Sequence, residues 1–405
     1  MRIKTYIIND LILLLLVLYS FVFGGFLQFF IGFSPTILSF LISMVLFLFI
    51  IIKRKHSFNR NNLWFILITV LMMAYTFVVS LINMQGIIKP SIYSLFFIIP
   101  LMIYSLFNNR KGMQLYSISQ LKRALLFVAV FQLPILLIQL YGYEFFMQFN
   151  NSGQTMRDVD FQFGTFFLKN DHALGFFLIA NILYVWSYPV LKNSWQKIMV
   201  TIILLINLLL TNSKVGVLFG ALALFYIFVN NRKYLLAFFL RLKYLLLFLI
   251  LTCCLALVYF EFNFYLDLKA KYNYELSLKW YELGVAAREH IVVVILKEGL
   301  LFFGNGAYSY FDITRGEFNN MFRHFSQYIW FYYDLGLVGL SLIMVFFYRM
   351  HKLFKQNQSS YSNFMILGVV LYSYFTIVTF DISFVLIYFL YKYSDDKKSN
   401  IHSLS

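Results

Sequence analysis

The sequence predicts an all-α polytopic membrane protein with about twelve transmembrane helices and a large extracytoplasmic loop between spans nine and ten. Three observations carry that reading. Of 405 residues, 61% are hydrophobic and only 12% charged, where a soluble domain carries about 25% charged residues; the mean hydropathy is +0.76. Apolar runs of roughly 20 residues recur along the whole length, and each can cross a ~30 Å hydrocarbon core. The basic residues fall in alternate loops, as they do when one side of the membrane retains them.

Taken in order, MRIK precedes a first apolar run, Leu11 to Phe30, that no small-residue cleavage site follows. It reads as an uncleaved first span rather than a signal peptide. Spans are expected at 10–31, 36–52, 63–82, 88–107, 123–141, 171–188, 197–212, 215–230, 243–260, 327–348, 362–378 and 380–392. The last two are short: one bent segment, or a hairpin that does not fully cross. Pro90, Pro100 and Pro134 fall in or near spans, where neighbouring helices can satisfy the carbonyl each frees. No repeat, linker or low-complexity tail divides the chain, so 1–405 reads as a single integral-membrane domain.

The loops alternate in charge. KRKHSFNR (Lys53 to Arg60), NNRKG with Lys122 and Arg123, NNRK with Arg241 and Lys243, RMHKLFK (Arg349 to Lys355) and the tail with Lys392, Lys397 and Lys398 are basic. With twelve spans, all of these share the side of the N-terminus. The opposite loops are balanced or acidic. This asymmetry predicts both termini in the cytoplasm. It also accounts for the net charge of +16 without nucleic acid. Cys253 and Cys254 are adjacent within an apolar run and offer neither a disulfide nor metal-ligand spacing.

Two outer loops are long: a shorter one at 142–170 and a large one at 261–327, far longer than a simple connection needs. Within the second, Leu283 to Phe303 is partly apolar with interspersed charges, a pattern suited to a helix on the membrane surface or dipping into a cavity.

Four features lie on that face. Arg157 precedes FQFGTFFLKNDHALGFF, in which Asn170, Asp171 and His172 open a span. LLLTNSKVGVLFGAL places Ser213 and Lys214 in a polar turn between two apolar helices. Arg288 precedes GNGAYSYF with Gly304 and Gly306, and His324 precedes a further span. A guanidinium offers bidentate, permanently charged recognition of phosphate, and cations outside run against the topology rule. Each is as readily an ion pair, Arg157 with Asp158 or Asp160 and Arg288 with Glu289 or Glu282; together, Arg157, Lys214 and Arg288 suggest an outward anion site. His324 can accept a proton from a hydroxyl nucleophile, or be an interfacial histidine paired with Asp334 or Glu317; His172 and His290 compete on the same face. GNG brings backbone N–H groups near an anion or is an ordinary tight turn. No metalloprotease, serine-hydrolase or Walker pattern occurs.

In this order the features resemble the O-antigen ligase/polymerase superfamily, the O-antigen ligases and Wzy-type polymerases of lipid-linked polysaccharide repeats. GTFFLKNDHALGFFL is similar to the family's Gly-Thr-Phe segment with a following Asn. LLLTNSKVGVLFGAL is similar to its Thr-x-Ser-Arg-Gly helix junction, with Lys214 where arginine is usual. AAREHIVVVILKEGLLFFGNGAYSYF through RHFSQYIWFYYDLGLVGL is similar to its Arg, Gly-x-Gly-x-x-x-Phe and His before a Gly-Leu span. The likeness covers about 155–345.

It implies a metal-independent, cofactor-free glycosyltransferase in the bacterial cytoplasmic membrane, acting on undecaprenyl-diphosphate-linked glycan as donor and acceptor. A flippase and a chain-length regulator are implied companions, with membrane lipid around the protein. Carried over by position, Arg288 binds the donor diphosphate, His324 is the base or orients the acceptor hydroxyl, and Arg157 is a second phosphate or glycan contact. Lys214 keeps the family's charge without its fork. A ligase of the same superfamily is the nearest rival. A flippase would place charges midway along its spans, and a scaffold would leave Arg157, Arg288 and His324 dispensable.

Overall fold

The computed structural model describes residues 5–33, 60–108, 115–154, 156, 161–211, 213–241, 291, 295, 299–317, 326–354 and 358–394. The expected spans at 36–52 and 243–260 lie outside them, as do Arg157, Arg288, His290 and His324. So does the expected surface helix from Leu283, apart from the buried helical residues Ile291 and Ile295 and the residues from Gly299 onward.

The described chain is helical. Helix α1 (Thr5–Leu18) continues through π-helical turns at Tyr19–Phe23 and Leu27–Ile31. Then come α2 (Arg60–Ile82), α3 (Ile88–Tyr93), α4 (Leu95–Asn108), α5 (Ile118–Tyr141) and the short α6 (Tyr143–Met147). Helices α7 (Asp171–Ser187), α8 (Ser194–Leu210) and α9 (Lys214–Arg241) follow, then α10 (Ser309–Glu317), α11 (Gln327–Lys352), α12 (Ser362–Phe375) and α13 (Ile382–Lys392). Among the described residues, six helices are long and apolar enough to cross a membrane.

Two short helices form the centre. Every residue of α7 from Ala173 to Val185 is buried, as is every residue of α13. A helix that is apolar on all sides needs protein or lipid on all sides, and here protein supplies it. Phe176 of α7 stacks on Phe384 of α13 with ring centroids 4.1 Å apart. Helices α4, α5, α8, α9 and α12 pack around this pair, while α2 lies along α11.

The helix ends sort into two groups. At one end Asn62 Nδ2 donates to Asn108 Oδ1, Leu115 N–H donates to Asp10 Oδ2 at 2.7 Å, and Lys122 Nζ donates to the Tyr393 carbonyl at 2.7 Å. Lys392 Nζ donates to the Met350 and His351 carbonyls. Two lysines of the basic loops are thus buried: Lys122, ringed by Tyr184, Tyr188 and Tyr391 at 5.7–5.9 Å, and Lys392. Each meets carbonyls at a helix C-terminus, where the backbone leaves acceptors and partial negative charge.

Helices α12 and α13 form an antiparallel hairpin whose ends are tied at this basic end. Gln358 and Tyr393 form a β-bridge, and Ser359 N–H donates to the Lys392 carbonyl at 2.8 Å. With 14 and 11 residues, the helices reach only ~21 and ~16 Å at 1.5 Å per residue, short of a ~30 Å core. The tip, 376–381, is irregular backbone inside the bundle, pinned by Gln327. Its Oε1 accepts from Val378 N–H at 2.8 Å and Thr379 N–H at 3.2 Å.

The loop expected at 142–170 on the outer side is not a surface excursion throughout: Phe161 to Leu168 is buried. Thr165 N–H donates to Gln132 Oε1 at 3.0 Å, and Gln132 Nε2 donates to Thr165 Oγ1 at 2.8 Å. Gln139 makes the same two-way pair with Gly164, at 2.8 and 2.9 Å. The Thr165 hydroxyl donates to the Phe21 carbonyl within the first π-turn of α1. A π-turn breaks the regular i→i−4 ladder, and this one presents its carbonyl to the loop. Gly25 permits the approach: a Cβ there would stand 2.0 Å from the Phe166 carbonyl oxygen.

Candidate functional site

The buried Gly-Thr-Phe plug delivers the chain to the start of α7. Lys169, exposed, adopts φ +58°, a left-handed conformation uncommon for a residue with a Cβ. Asn170 follows as N-cap, its Oδ1 accepting from Ala173 N–H at 3.3 Å. Asp171 and His172 occupy the first turn and stay partly accessible, with side chains 33% and 29% exposed. His172 Nδ1 lies 3.5 Å from Asp171 Oδ2.

The Ser213–Lys214 turn stands beside this helix start. Gly175 and Gly216 let α7 and α9 meet so closely that a Cβ on Gly175 would sit 3.6 Å from Gly216 Cα. Ser213 is buried, and its Oγ accepts from Gly216 N–H at 3.2 Å, capping α9. Lys214 is exposed. Two segments picked separately from the sequence therefore form adjoining helix starts.

The hairpin completes the cluster. The Tyr372 ring meets His172 edge-on at 6.1 Å. Its hydroxyl is fully buried, faces Ser213 and Asp171, and closes no hydrogen bond of good geometry. Asp381 caps α13 by accepting from Ser383 N–H at 2.9 Å and Phe384 N–H at 3.2 Å. The Asn170 amide lies against its carboxylate. Asn170, Asp171, His172 and Asp381 all retain accessible surface at the ends of buried helices, and this partly open polar place between the helix starts is the candidate recess. Sequence reading missed Tyr372 and Asp381. An ionisable residue between apolar runs, as in TFDISF, is itself a functional signal and would have found the second.

Gly304 and Gly306 do not join this cluster. The GNG turn packs across a break in α11 at Gly336 (φ +68°). Gly304 (φ +80°) and Gly336 abut so tightly that a Cβ on Gly304 would stand 2.4 Å from the Asp334 carbonyl oxygen. Leu337 and Val338 N–H groups, freed by the break, donate to the Leu301 and Phe302 carbonyls at 2.9 and 3.2 Å. The turn's N–H groups go to backbone: Asn305 donates to the Tyr333 carbonyl at 3.1 Å and Gly306 to the Asp334 carbonyl at 2.8 Å. The Asp334 carboxylate, fully buried, accepts from Tyr308 N–H at 3.0 Å, Tyr310 N–H at 2.7 Å and Trp330 Nε1 at 2.5 Å. Burial, and after it the Asp334 carboxylate, push the Tyr310 hydroxyl above its ordinary range. Gln85 Nε2 donates to Ser309 Oγ at 2.9 Å, and Lys89 pairs with Asp312 at 2.7 Å. These contacts fix the C-terminal part of the large loop on α2 and α3.

Among the described residues, no three His, Cys, Asp or Glu side chains group as metal ligands. No family model matches the chain, and no curated protein or solved structure is similar to it at a significant level.

Proposed function

We propose that the chain polymerises undecaprenyl-diphosphate-linked oligosaccharide repeat units for capsule, exopolysaccharide or O-antigen, by an inverting, metal-independent transfer on the outer face of the bacterial cytoplasmic membrane. The observation that carries this reading is the meeting of Asn170–His172 with Ser213–Lys214. These segments lie about 40 residues apart in sequence and are two of the three stretches that resemble the glycan ligases and polymerases. They open a recess at the end of the bundle opposite the buried lysines, and the positive-inside rule makes that the outer end.

In the proposed reaction the acceptor hydroxyl oxygen attacks the anomeric carbon of the donor. The bond from that carbon to the diphosphate oxygen breaks, and its electron pair leaves on the diphosphate. Arg288, with Arg157, neutralises the leaving charge by fixed electrostatics, and His324 takes the proton that the acceptor hydroxyl loses. The distribution of charge favours chemistry at one end over transport. Among the described residues, the fully buried charged side chains are Asp10, Lys122, Asp334 and Lys392, and the contacts above engage each with backbone. A transporter needs some of them at a central cavity.

The experiment is substitution with a chain-length readout. Arg288→Ala and His324→Ala are each expected to abolish long-chain polymer while membrane insertion stays normal. A normal polymer ladder from both variants refutes the assignment.

A further inference from the structure

The recess carries two carboxylates, Asp171 and Asp381, beside the exposed Lys169 and Lys214. Two carboxylates at partly desolvated helix starts repel a diphosphate, and each already satisfies the positive end of its own helix. Carboxylates, an amide and an imidazole instead suit an uncharged ligand rich in hydroxyl groups, which donates to the first and accepts from the second. The recess therefore fits the acceptor sugar better than the charged part of the donor.

Within it the two ring nitrogens of His172 stand in different surroundings. Nδ1 has no accessible surface, makes no hydrogen bond and lies 3.5 Å from Asp171 Oδ2. The exposed 29% of the side chain thus belongs to the rest of the ring, where Nε2 is the only other polar atom. Nε2 is not among the buried unpaired atoms and has no protein partner among the described residues. The carboxylate beside Nδ1 favours a proton there and leaves the Nε2 lone pair outward, the arrangement of an imidazole base. Behind it, the buried Tyr372 hydroxyl faces Ser213 and Asp171 without closing a bond. That hydroxyl lies at the junction of α7 and α9, 3.1 Å from where a Cβ on Gly175 would stand.

We propose that His172, oriented by Asp171, is a catalytic base for the acceptor hydroxyl, and that the recess between the starts of α7, α9 and α13 is the acceptor-sugar subsite. This rests on the polymerase reading above and changes its division of labour: His172 Nε2 takes the hydroxyl proton, and His324 orients the acceptor. The hydroxyl O–H bond breaks with its proton going to Nε2, the oxygen–anomeric carbon bond forms, and diphosphate leaves with the displaced electron pair. The groups that face His172 among the described residues are Asp171 on its own segment and Tyr372 from α12. Asp171 is a positioning residue.

The test uses the full chain in nanodiscs with undecaprenyl-diphosphate-linked repeat units. Loss of a general base lowers kcat by about 10²- to 10⁴-fold, so His172→Gln is expected to fall in that range near neutral pH. Its KM should move by less than about tenfold, and kcat should partly recover as pH rises and the hydroxyl ionises unaided. Asp171→Asn is expected to lower kcat less and to displace the acidic limb of the pH profile, which a merely structural change would not do. Lys192→Gln, on the exposed connection between α7 and α8, serves as the unchanged control. Unfolding midpoints within ~2 °C of the parent protein show that the variants fold. Should His172→Gln fail that criterion, the Asp171→Asn pH profile decides. Wild-type kcat and pH profile in His172→Gln overturn this inference alone. An inert wild-type protein overturns the polymerase reading and this inference with it.

Discussion

Replacing Gln132 by leucine probes the link between the Gly-Thr-Phe plug and the site it delivers. Gln132 is fully buried on α5. It accepts from Thr165 N–H at 3.0 Å and donates to Thr165 Oγ1 at 2.8 Å. Leucine keeps roughly the volume and loses both bonds to Thr165, along with the long Nε2 bond to the Val128 carbonyl in its own helix at 3.3 Å. In water-soluble cores an orphaned buried N–H costs about 1–3 kcal/mol. Between membrane helices the measured average is nearer 0.6 kcal/mol per bond, with a maximum of about 1.7. Two bonds therefore set the expected loss at about 1–3 kcal/mol. Because Thr165 Oγ1 still donates to the Phe21 carbonyl, the loss belongs in the lower half of that range. The assay is a double-mutant cycle by reversible unfolding in mixed micelles, with Gln132→Leu, Thr165→Val and the pair. Coupling of about 1 kcal/mol is expected, since residues sharing hydrogen bonds are non-additive. Additivity within about 0.3 kcal/mol would refute the idea that this pair holds the plug.

Other outcomes follow from the same geometry. Gly304→Ala places a Cβ 2.4 Å from the Asp334 carbonyl oxygen at φ +80°. It should destabilise by about 2 kcal/mol or more, since a left-handed residue with a Cβ alone costs 1–2; unfolding in micelles reads this, and a neutral result contradicts the docked turn. Lys122→Met keeps the apolar stem but loses the bond to the Tyr393 carbonyl and the surrounding tyrosine faces. A loss of about 2 kcal/mol is expected, given 0.5–2 for a desolvated cation–π contact. Unchanged stability would mean that the charge is not what ties the hairpin.

Ten of the expected spans fall on described residues and coincide with helix, six of them long and apolar enough to cross a membrane, and their ends agree within about five residues apart from α9. That helix continues past a break at Asn231 to Arg241. Apolar runs are easily read because each must satisfy its backbone internally over a fixed thickness. The hairpin reading of the last two spans was also open to the sequence, from their length alone. Irregular backbone was harder. Phe161 to Leu168 looks like loop because no period marks it, yet glutamines on α5 and a π-turn carbonyl on α1 bury it. GNG reads as either an anion cradle or a tight turn; its Asn305 and Gly306 N–H groups go to the Tyr333 and Asp334 carbonyls, while the Asp334 carboxylate, 28 residues beyond Gly306, takes the Tyr308 and Tyr310 N–H groups. Tyr372 and Asp381 reach the site through a chain reversal that spacing does not encode.

The most direct measurement of the central claim is incubation of the purified chain with undecaprenyl-diphosphate-linked repeat units, in the presence of a metal chelator, followed by sizing of the lipid-linked products. The account predicts a ladder of chains longer by whole repeats, with release of undecaprenyl diphosphate. Substrate crossing the bilayer with no change in chain length would contradict it.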